Sequence, residues 1–315
     1  MRVLVTGANG FVGRALCGRL AEDAHAVVPA VRGACGLAGE VIVGNIDGEP
    51  AWRSALGNCD AVVHLAARVH VMHDMAINPL TVYRATNTDA TLNLARQAAK
   101  VGAKRFVYLS SIKVNGEATE PDRPFHADDP PAPEDAYAIS KYEAEQGLMV
   151  IAKETGMEVV IIRSPLVYGP GVKGNFASLV KWVRKGLPLP FGVLKNKRSL
   201  VALDNLVSFI ALCADREKSP TAANKVFLIS DGEDVSTTEL LHMVAMIYGK
   251  KVFFIPVPQG WLNIVAKMLG KAEVASRLLG SLVVDNSPAC DVLGWHPVVT
   301  MKEQLRKMAQ HDSRV

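Results

Sequence analysis

The sequence is poor in cysteine, and its cysteines suggest no disulfide framework. They are odd in number, scattered and never part of a C-x-x-C pair: Cys17, Cys35, Cys59, Cys213 and Cys290. This pattern is more typical of a reducing cytoplasm than of a disulfide-linked protein. We therefore expect a cytoplasmic protein.

Charge of one sign is also scarce. Over 315 residues the formal net charge is +4, and the lysines and arginines are spread along the chain. No basic run of the kind that binds a nucleic-acid backbone is present, so we expect no nucleic-acid partner.

Long apolar runs are missing as well, since no stretch approaches the length of a membrane span. The segment WLNIVAKMLGKAEVASRLLG is interrupted by Lys267, Lys271, Glu273 and Arg277. Its pattern favours an amphipathic helix over a core rather than attachment to a membrane. MRVLV leads directly into a glycine loop and leaves no room for a signal peptide, so we expect no membrane contact.

The sequence does contain enough apolar residues for a large core, because 49% of them are hydrophobic. Short β-branched runs alternate with stretches of helical period, for example residues 79–100 behind Pro79. The runs are RVLVTG, HAVVPAV, EVIVG, DAVVHLA, RFVYLSS and EVVIIRS. Most are apolar on both faces, which predicts an α/β fold with a doubly wound parallel sheet between helices.

The pattern changes near residue 170, where glycine and proline begin to interrupt shorter elements such as YGPGVKGN and KGLPLPFG. We predict a nucleotide-binding domain over residues 1–170 and a smaller, mixed α/β substrate-binding domain over residues 171–315. NKVFLIS is typical of a buried strand, so the second part is expected to return an element to the first sheet. The long loop EATEPDRPFHADDPPAPED is expected to form a lid or a binding wall.

The loop VLVTGANGFVG ends the first strand and opens the first helix. Its glycines, Gly7, Gly10 and Gly13, are spaced G-x-x-G-x-x-G, one residue longer in the first gap than the familiar dinucleotide fingerprint. Such glycines permit a tight turn, a close approach to a pyrophosphate and packing of the helix on the strand. The helix N-terminus then offers N–H groups to the phosphates. The loop predicts a dinucleotide site.

The stretch YAISK places Lys141 one helical turn after Tyr137, with Cβ atoms roughly 5–6 Å apart. A nearby ammonium lowers the pKa of a phenol. Lowering that pKa from about 10 to about 7 requires roughly 4 kcal/mol, which a lysine and an oxidised nicotinamide ring could supply. Alone, the pair is typical of a solvated surface helix. After a dinucleotide loop and a strand ending in LSS, it predicts a general acid/base.

Together, TGANGFVG, HLAA, LSSIKVNG, YAISK and RSPLVYGPG resemble the extended short-chain dehydrogenase/reductase family. The likeness is greatest to its nucleotide-sugar branch, the UDP-glucose 4-epimerases and bacterial sugar-nucleotide 4-ketoreductases. It continues through RSLVALDN and LGWHP near the C-terminus. The resemblance implies a Rossmann-type sheet, an NAD(P) cofactor, a UDP-sugar substrate and a homodimer.

The resemblance also implies roles for individual residues. Tyr137 is expected to be the general acid/base, Lys141 to lower its pKa and hold the nicotinamide ribose, and Ser111 to hydrogen-bond the reacting sugar oxygen. Asn175 and Arg198 are expected to hold the nucleotide and diphosphate of the substrate, with Arg277 as a further candidate for the diphosphate. The implied cofactor residues are Gly7, Asn9, Gly10, Phe11, Val12, Gly13, Arg32, Asn45, Ile46, Leu65, Ala66, Ala67, Asn87, Tyr137, Lys141, Pro165 and Val167.

Two positions depart from the family pattern. Members that prefer NAD often carry an acid after the second strand, where this sequence has Val31 and Arg32. An arginine there can bind a 2′-phosphate, which favours NADP, although a solvated arginine beside NAD stays open. Asn45 stands where the epimerases usually have an aspartate that contacts adenine. The side-chain amide of Asn45 can make the same contact with adenine.

The leading hypothesis is a reductase that moves a hydride to C4 of a UDP-4-keto-6-deoxyhexose, or its N-acetyl form, for bacterial surface polysaccharide. The alternative is a UDP-hexose 4-epimerase, and a lesser one is a non-catalytic dinucleotide-sensing protein. A dehydratase is disfavoured because Ile112 and Lys113 stand where it needs an acid pair. His70 and His73 have a metal-like spacing without further ligands nearby, so we expect no metal site.

Overall fold

The computed structural model of the chain describes residues 1–47, 52–69, 78–120, 122–268, 270 and 272–313, but not the side chains of 272–274. His70 and His73, the histidines with a metal-like spacing, lie outside these ranges. None of the helices within them is long and apolar enough to cross a bilayer.

The strands alternate with helices through the first half of the chain. In chain order the strands are β1 (Arg2–Thr6), β2 (Ala26–Val31), β3 (Val41–Ile42), β4 (Ala61–His64), β5 (Arg105–Ser111), β6 (Glu158–Ser164), β7 (Leu166–Tyr168), β8 (Arg198–Ala202), β9 (Lys225–Leu228) and β10 (Asp234–Val235). Seven of them form the main sheet in the order β3-β2-β1-β4-β5-β6-β9, and all its pairings are parallel.

Some helices cover both faces of this sheet, and others pack beside a smaller one. They are α1 (Phe11–Glu22), α2 (Arg53–Leu56), α3 (Pro79–Tyr83), α4 (Ala90–Lys100), α5 (Ala136–Thr155), α6 (Gly174–Arg184), α7 (Leu203–Ala214), α8 (Thr237–Ile247), α9 (Gln259–Met268), α10 (Ala272–Leu279), α11 (Ser287–Leu293) and α12 (Met301–Asp312). One core joins α1 and α7 to the sheet, and a second joins α2, α4 and α5 to its other face. The predicted doubly wound, Rossmann-type sheet is confirmed.

The strand order also shows where a ligand can bind. Strand β2 lies on one side of β1, and β4 lies on the other. The connections after β1 and β4 therefore run in opposite directions, and a crevice opens beyond the carboxyl ends of these two strands. The stretch expected to form one helix over residues 79–100 is instead α3, a π-helical turn at Arg84–Asp89, and α4. This wide turn lies beside the crevice, and such turns occur mainly at functional sites.

A smaller, mixed sheet follows, in the order β10-β8-β7, with β8 parallel to β7 and antiparallel to β10. A third core lies against it, to which α6, α8, α10 and α12 contribute. The strand β9, from within the second half of the chain, pairs with β6 in the main sheet. The domain boundary at residue 170 stays a prediction.

Candidate active site

The glycine loop forms a cradle that only glycine fits. Gly7 follows β1 with φ of +65°, and a Cβ there would lie 2.9 Å from the backbone nitrogen of Ala66. A Cβ at Gly13 would lie 2.2 Å from the carbonyl oxygen of Gly7, so α1 packs directly on the loop. Gly10 caps α1 without a side-chain hydrogen bond, and the first turn carries no acid. These features suit a pyrophosphate at the helix N-terminus.

A cavity of about 860 Å³ extends from this loop across the carboxyl ends of the strands to Tyr137 and Lys141. All the predicted cofactor residues except Asn87 line it. Arg32 and Asn45 contribute to the same wall, together with Asp47, which the sequence analysis overlooked. The residues present therefore fit a dinucleotide.

Asn87 lies on the π-helical turn and does not reach the cavity wall. Its amide nitrogen donates to the carbonyl oxygen of Arg68 at 3.0 Å and to Oγ of Ser140 at 3.0 Å. Its Oδ1 accepts from the backbone N–H of Arg68 at 2.8 Å. Asn87 thus fixes the segment after β4 to α5, and its neighbour Thr86 lines the cavity instead.

Ser111 and Tyr137 come together although they belong to different elements. Ser111 ends β5, and its Oγ accepts from the N–H of Lys113 at 3.3 Å. Tyr137 lies in the first turn of α5, behind the N-cap residue Asp135, whose Oδ1 accepts from the N–H of Ala138 at 2.7 Å. The side chain of Ser111 lies close enough to the phenol to lower its pKa. The two side chains form a wall that the dinucleotide cavity shares with a second cavity.

The electrostatics of the pair differ from the sequence-based expectation. Burial raises the pKa of Tyr137 to about 12, and the nearby side chain of Ser111 opposes this rise. Burial also lowers the pKa of Lys141 to about 7, against a smaller opposing effect of Glu145. Lys141 lies with its Nζ 4.1 Å from the ring centroid of Tyr108, a position that favours the cation. That Lys141 lowers the pKa of the phenol stays a prediction.

A buried ion pair supports this wall from beneath, and the sequence analysis did not find it. Arg163 of β6 binds Glu145 of α5 through two nitrogens, with Nη2 2.6 Å from Oε2. Glu145 also accepts from Oγ of Ser110 at 2.5 Å, and Arg163 donates to Oδ1 of Asn115 at 2.9 Å. Because Ser110 precedes Ser111, the network fixes the end of β5 against α5. The only sequence signal was an acid four residues after Lys141.

The second cavity, of about 310 Å³, lies between the main sheet and the smaller one. The four predicted substrate residues, Ser111, Asn175, Arg198 and Arg277, all line it. Burial lowers the pKa of Arg198, and the charge of Arg277 lowers it further. Two guanidinium groups that face one cavity form a candidate anion site, and the carboxylate of Glu117 partly offsets their charge.

Lys113 lines the same cavity and links its two sides. Its Nζ donates to Oε1 of Glu117 at 2.5 Å and to Oδ2 of Asp135 at 2.6 Å. The ion pair with Asp135 connects the segment after β5 to the start of α5, and so holds Ser111 near Tyr137. From the sequence alone, Lys113 only disfavours a dehydratase. Glu117, which faces this cavity as well, was also missed.

Comparison with known proteins decides the family, because residues 3–229 match the NAD dependent epimerase/dehydratase family. The chain belongs to that family. It is an enzyme, and its cofactor is a nicotinamide dinucleotide.

Two curated relatives and one solved structure illustrate the range of this family. The chain is 48% identical to the UDP-glucose 4-epimerase of Vibrio cholerae, over 98% of its own length and 94% of the relative's. It is 28% identical to the GDP-6-deoxy-D-mannose reductase of Pseudomonas aeruginosa, over 100% and 98%. The UDP-glucuronic acid 4-epimerase of Bacillus cereus, solved with NAD, shares the fold with a TM-score of 0.80, 22% identity and coverage of 100% and 99%.

Proposed function

We propose that this enzyme epimerises a UDP-hexose at C4. The observation that carries the proposal is the wall formed by Ser111 and Tyr137, which faces both the dinucleotide cavity and the cavity with the two arginines. A hydroxyl held at that wall would lie between a hydride acceptor on one side and an anion site on the other. This is the arrangement that oxidation of a nucleotide-linked sugar requires.

The chain's own groups supply the proton chemistry. Tyr137 takes the proton of the 4-hydroxyl as C4 is oxidised and returns it when C4 is reduced. Ser111 donates a hydrogen bond to the same oxygen, and Lys141 holds the nicotinamide ribose and favours the phenolate. The bound nicotinamide supplies the acceptor and donor of hydride.

The candidate anion site is the reason for proposing a nucleotide-linked sugar as the substrate. Arg198 and Arg277 would bind the diphosphate, since guanidinium groups pair with phosphate oxygens through two donors. Asn175, in the first turn of α6, would bind the uracil or ribose. A free sugar has no diphosphate for these arginines to bind.

Epimerisation has more support than the reductase that the sequence analysis favoured. The relative from Vibrio cholerae is an epimerase and is 48% identical, whereas the reductase from Pseudomonas aeruginosa is 28% identical. The 4-ketoreductase is the second candidate, and Arg32 favours it. An arginine that binds a 2′-phosphate suits NADP, which a reductase exchanges at every turnover.

The choice between NAD and NADP depends on whether the enzyme is an epimerase or a reductase. An epimerase must keep its dinucleotide through both hydride steps, and Asp47 adds a carboxylate to the cavity wall, which disfavours a further phosphate in that cavity. We therefore propose NAD for the epimerase. The sequence-based preference for NADP stays a prediction that belongs to the reductase.

The test measures bound cofactor and product together. Purified protein is passed through gel filtration, denatured, and assayed for released NAD and NADP. In parallel it is incubated with UDP-glucose or UDP-N-acetylglucosamine without added cofactor, and the products are identified by NMR. We expect NAD close to stoichiometric amounts and formation of the 4-epimer. Protein that carries no nucleotide, and oxidises NADPH only with a UDP-4-keto-6-deoxyhexose, would replace the epimerase by the reductase.

A further inference from the structure

Helix α9 is apolar on two different faces, although only one of them is covered. Leu262 and Ala266 pack against the core beside the smaller sheet, as the sequence analysis expected of an amphipathic helix. A second set of apolar side chains follows at spacings of three and four residues and so forms one stripe along the helix. Its members and their exposed fractions are Trp261 (65%), Ile264 (55%), Val265 (50%) and Met268 (82%). We call these four residues the apolar stripe.

The segment that leads into α9 adds to this exposed apolar surface. Phe253 and Ile255 are exposed, and the backbone of both residues bonds to Leu189. Bulky side chains exposed in such number within 16 residues, 253–268, are unusual on a globular protein and indicate an interaction surface.

Along the chain, the segment that contains the apolar stripe carries charge of one sign. Between Glu239 and Glu273 the sequence contains no aspartate or glutamate. The same interval contains four lysines: Lys250, Lys251, Lys267 and Lys271. An apolar stripe with a tryptophan, among basic residues only, has the composition of helices that lie in the interface of an anionic bilayer.

We propose that the apolar stripe binds the surface of an anionic lipid bilayer, with α9 lying parallel to that surface. This reverses the sequence-based expectation of no membrane contact, because the core covers only one of the two apolar faces of the helix. The stripe would enter the boundary between headgroups and acyl chains, while Lys250, Lys251 and Lys267 contact anionic headgroups. Helix α9 has ten residues, far fewer than the length that spans a bilayer, so the contact is peripheral.

Charge also distinguishes a bilayer from a second copy of this chain. A two-fold contact through the apolar stripe would bring Lys267 and its neighbours close to the same residues of the partner. Since no carboxylate lies in the interval to pair with them, such a contact would gather like charges. An anionic bilayer neutralises the same lysines.

The proposed contact lies close to the substrate cavity. Helices α9 and α10 pack against each other, and α10 contributes Arg277 and Leu278 to the cavity wall. Docking through α9 would therefore hold the substrate cavity one helix away from the bilayer. The inference does not depend on which reaction the enzyme catalyses.

The test is co-sedimentation of the purified protein with vesicles of phosphatidylcholine alone, or with vesicles that also contain phosphatidylglycerol. We expect binding to the anionic vesicles, weakened by salt. The double substitution Ile264→Ser and Met268→Ser should lower the partition coefficient about tenfold or more. The matched control, Ile42→Ser with Val298→Ser, removes two similarly exposed apolar side chains elsewhere and should bind as the wild type does.

Two further measurements make the result decisive. The circular dichroism spectrum should be unchanged in both double variants, which shows that each is folded whichever reaction the enzyme catalyses. Analytical ultracentrifugation compares their masses with that of the wild type. A wild type that ignores anionic vesicles would overturn the proposal, and so would a stripe variant that binds them normally. A wild-type dimer that dissociates only in the stripe variant would assign the stripe to a subunit interface instead.

Discussion

The Nζ of Lys141 donates a 2.7 Å hydrogen bond to the backbone carbonyl oxygen of Leu109, which ties α5 to β5 one residue before Ser110. Lys141 is thus part of the scaffold as well as of the site. The charge of Lys141 also reaches His64: burial of that histidine first, and Lys141 second, lower its pKa to about 3.

The lowered pKa of Lys141 makes stability depend on pH. Its folded value of about 7 lies below the ordinary value of 10.5, so between these two the unfolded chain binds more protons and stability rises with pH. Lys141→Met should remove this rise. From pH 7 to pH 9 the wild type should gain about 2 kcal/mol more than the variant, measured by urea unfolding. Lys153→Met, at an exposed position of the same helix, is the control and should behave as the wild type does.

Two glutamates of α5 offer a matched comparison of buried and exposed ion pairs. Glu145 pairs with Arg163 with both side chains 4% exposed, whereas Glu143 pairs with Arg84 at 28% and 46%. Glu145→Gln should cost about 3–5 kcal/mol of unfolding free energy because it leaves a buried guanidinium without its counter-charge. Glu143→Gln should cost less than about 1 kcal/mol. If urea unfolding showed equal losses of unfolding free energy in the two variants, the buried ion pair would contribute no more stability than the exposed one.

Tyr137 is expected to act in chemistry rather than in binding. Tyr137→Phe keeps the ring and its edge-on contact with Tyr83 but removes the proton. Turnover should fall by about 10²–10⁴-fold, while the dissociation constant of the nicotinamide cofactor changes little. Steady-state kinetics and fluorescence titration of the cofactor separate the two quantities. A variant with near-normal turnover would remove Tyr137 from the reaction.

Local patterns in the sequence predicted most of the fold. The runs that read as strands are β1 to β6, and the glycine loop, Ser111, Tyr137 and Lys141 each follow directly from one of these elements or lie on one. The strands are recognised by their periodicity, and the site residues by their neighbours in the chain. Both kinds of pattern are present in a single sequence.

Contacts between residues that are distant in the sequence could not be predicted in the same way. Arg163 meets Glu145, and Arg198 approaches Arg277, only because β6, α5, β8 and α10 pack as they do. Asn87 had a local signal, but its amide is used by the backbone of Arg68 rather than by the cavity. The direction of a side chain depends on packing partners that are distant in sequence.

The choice between NAD and NADP can be tested at Arg32. If its guanidinium binds a 2′-phosphate, Arg32→Ala should weaken NADPH by about 1.5–3 kcal/mol and leave NADH almost unchanged. If the enzyme instead holds NAD, the variant should affect both cofactors alike. Isothermal titration with each cofactor gives the answer, and NADH serves as the internal control.

The two arginines of the second cavity provide a direct test of the nucleotide-sugar assignment. The charge of Arg277 lowers the pKa of Arg198, so the two guanidinium groups repel each other, and a diphosphate between them would gain from both. Arg277→Met should therefore weaken binding of UDP by about 1.5–3 kcal/mol, while the affinity for the dinucleotide stays near that of the wild type. Titration calorimetry with UDP and with NAD on the same protein measures both. Unchanged UDP affinity would mean that the diphosphate does not bind at Arg277, and would leave Arg198 as its only predicted guanidinium partner.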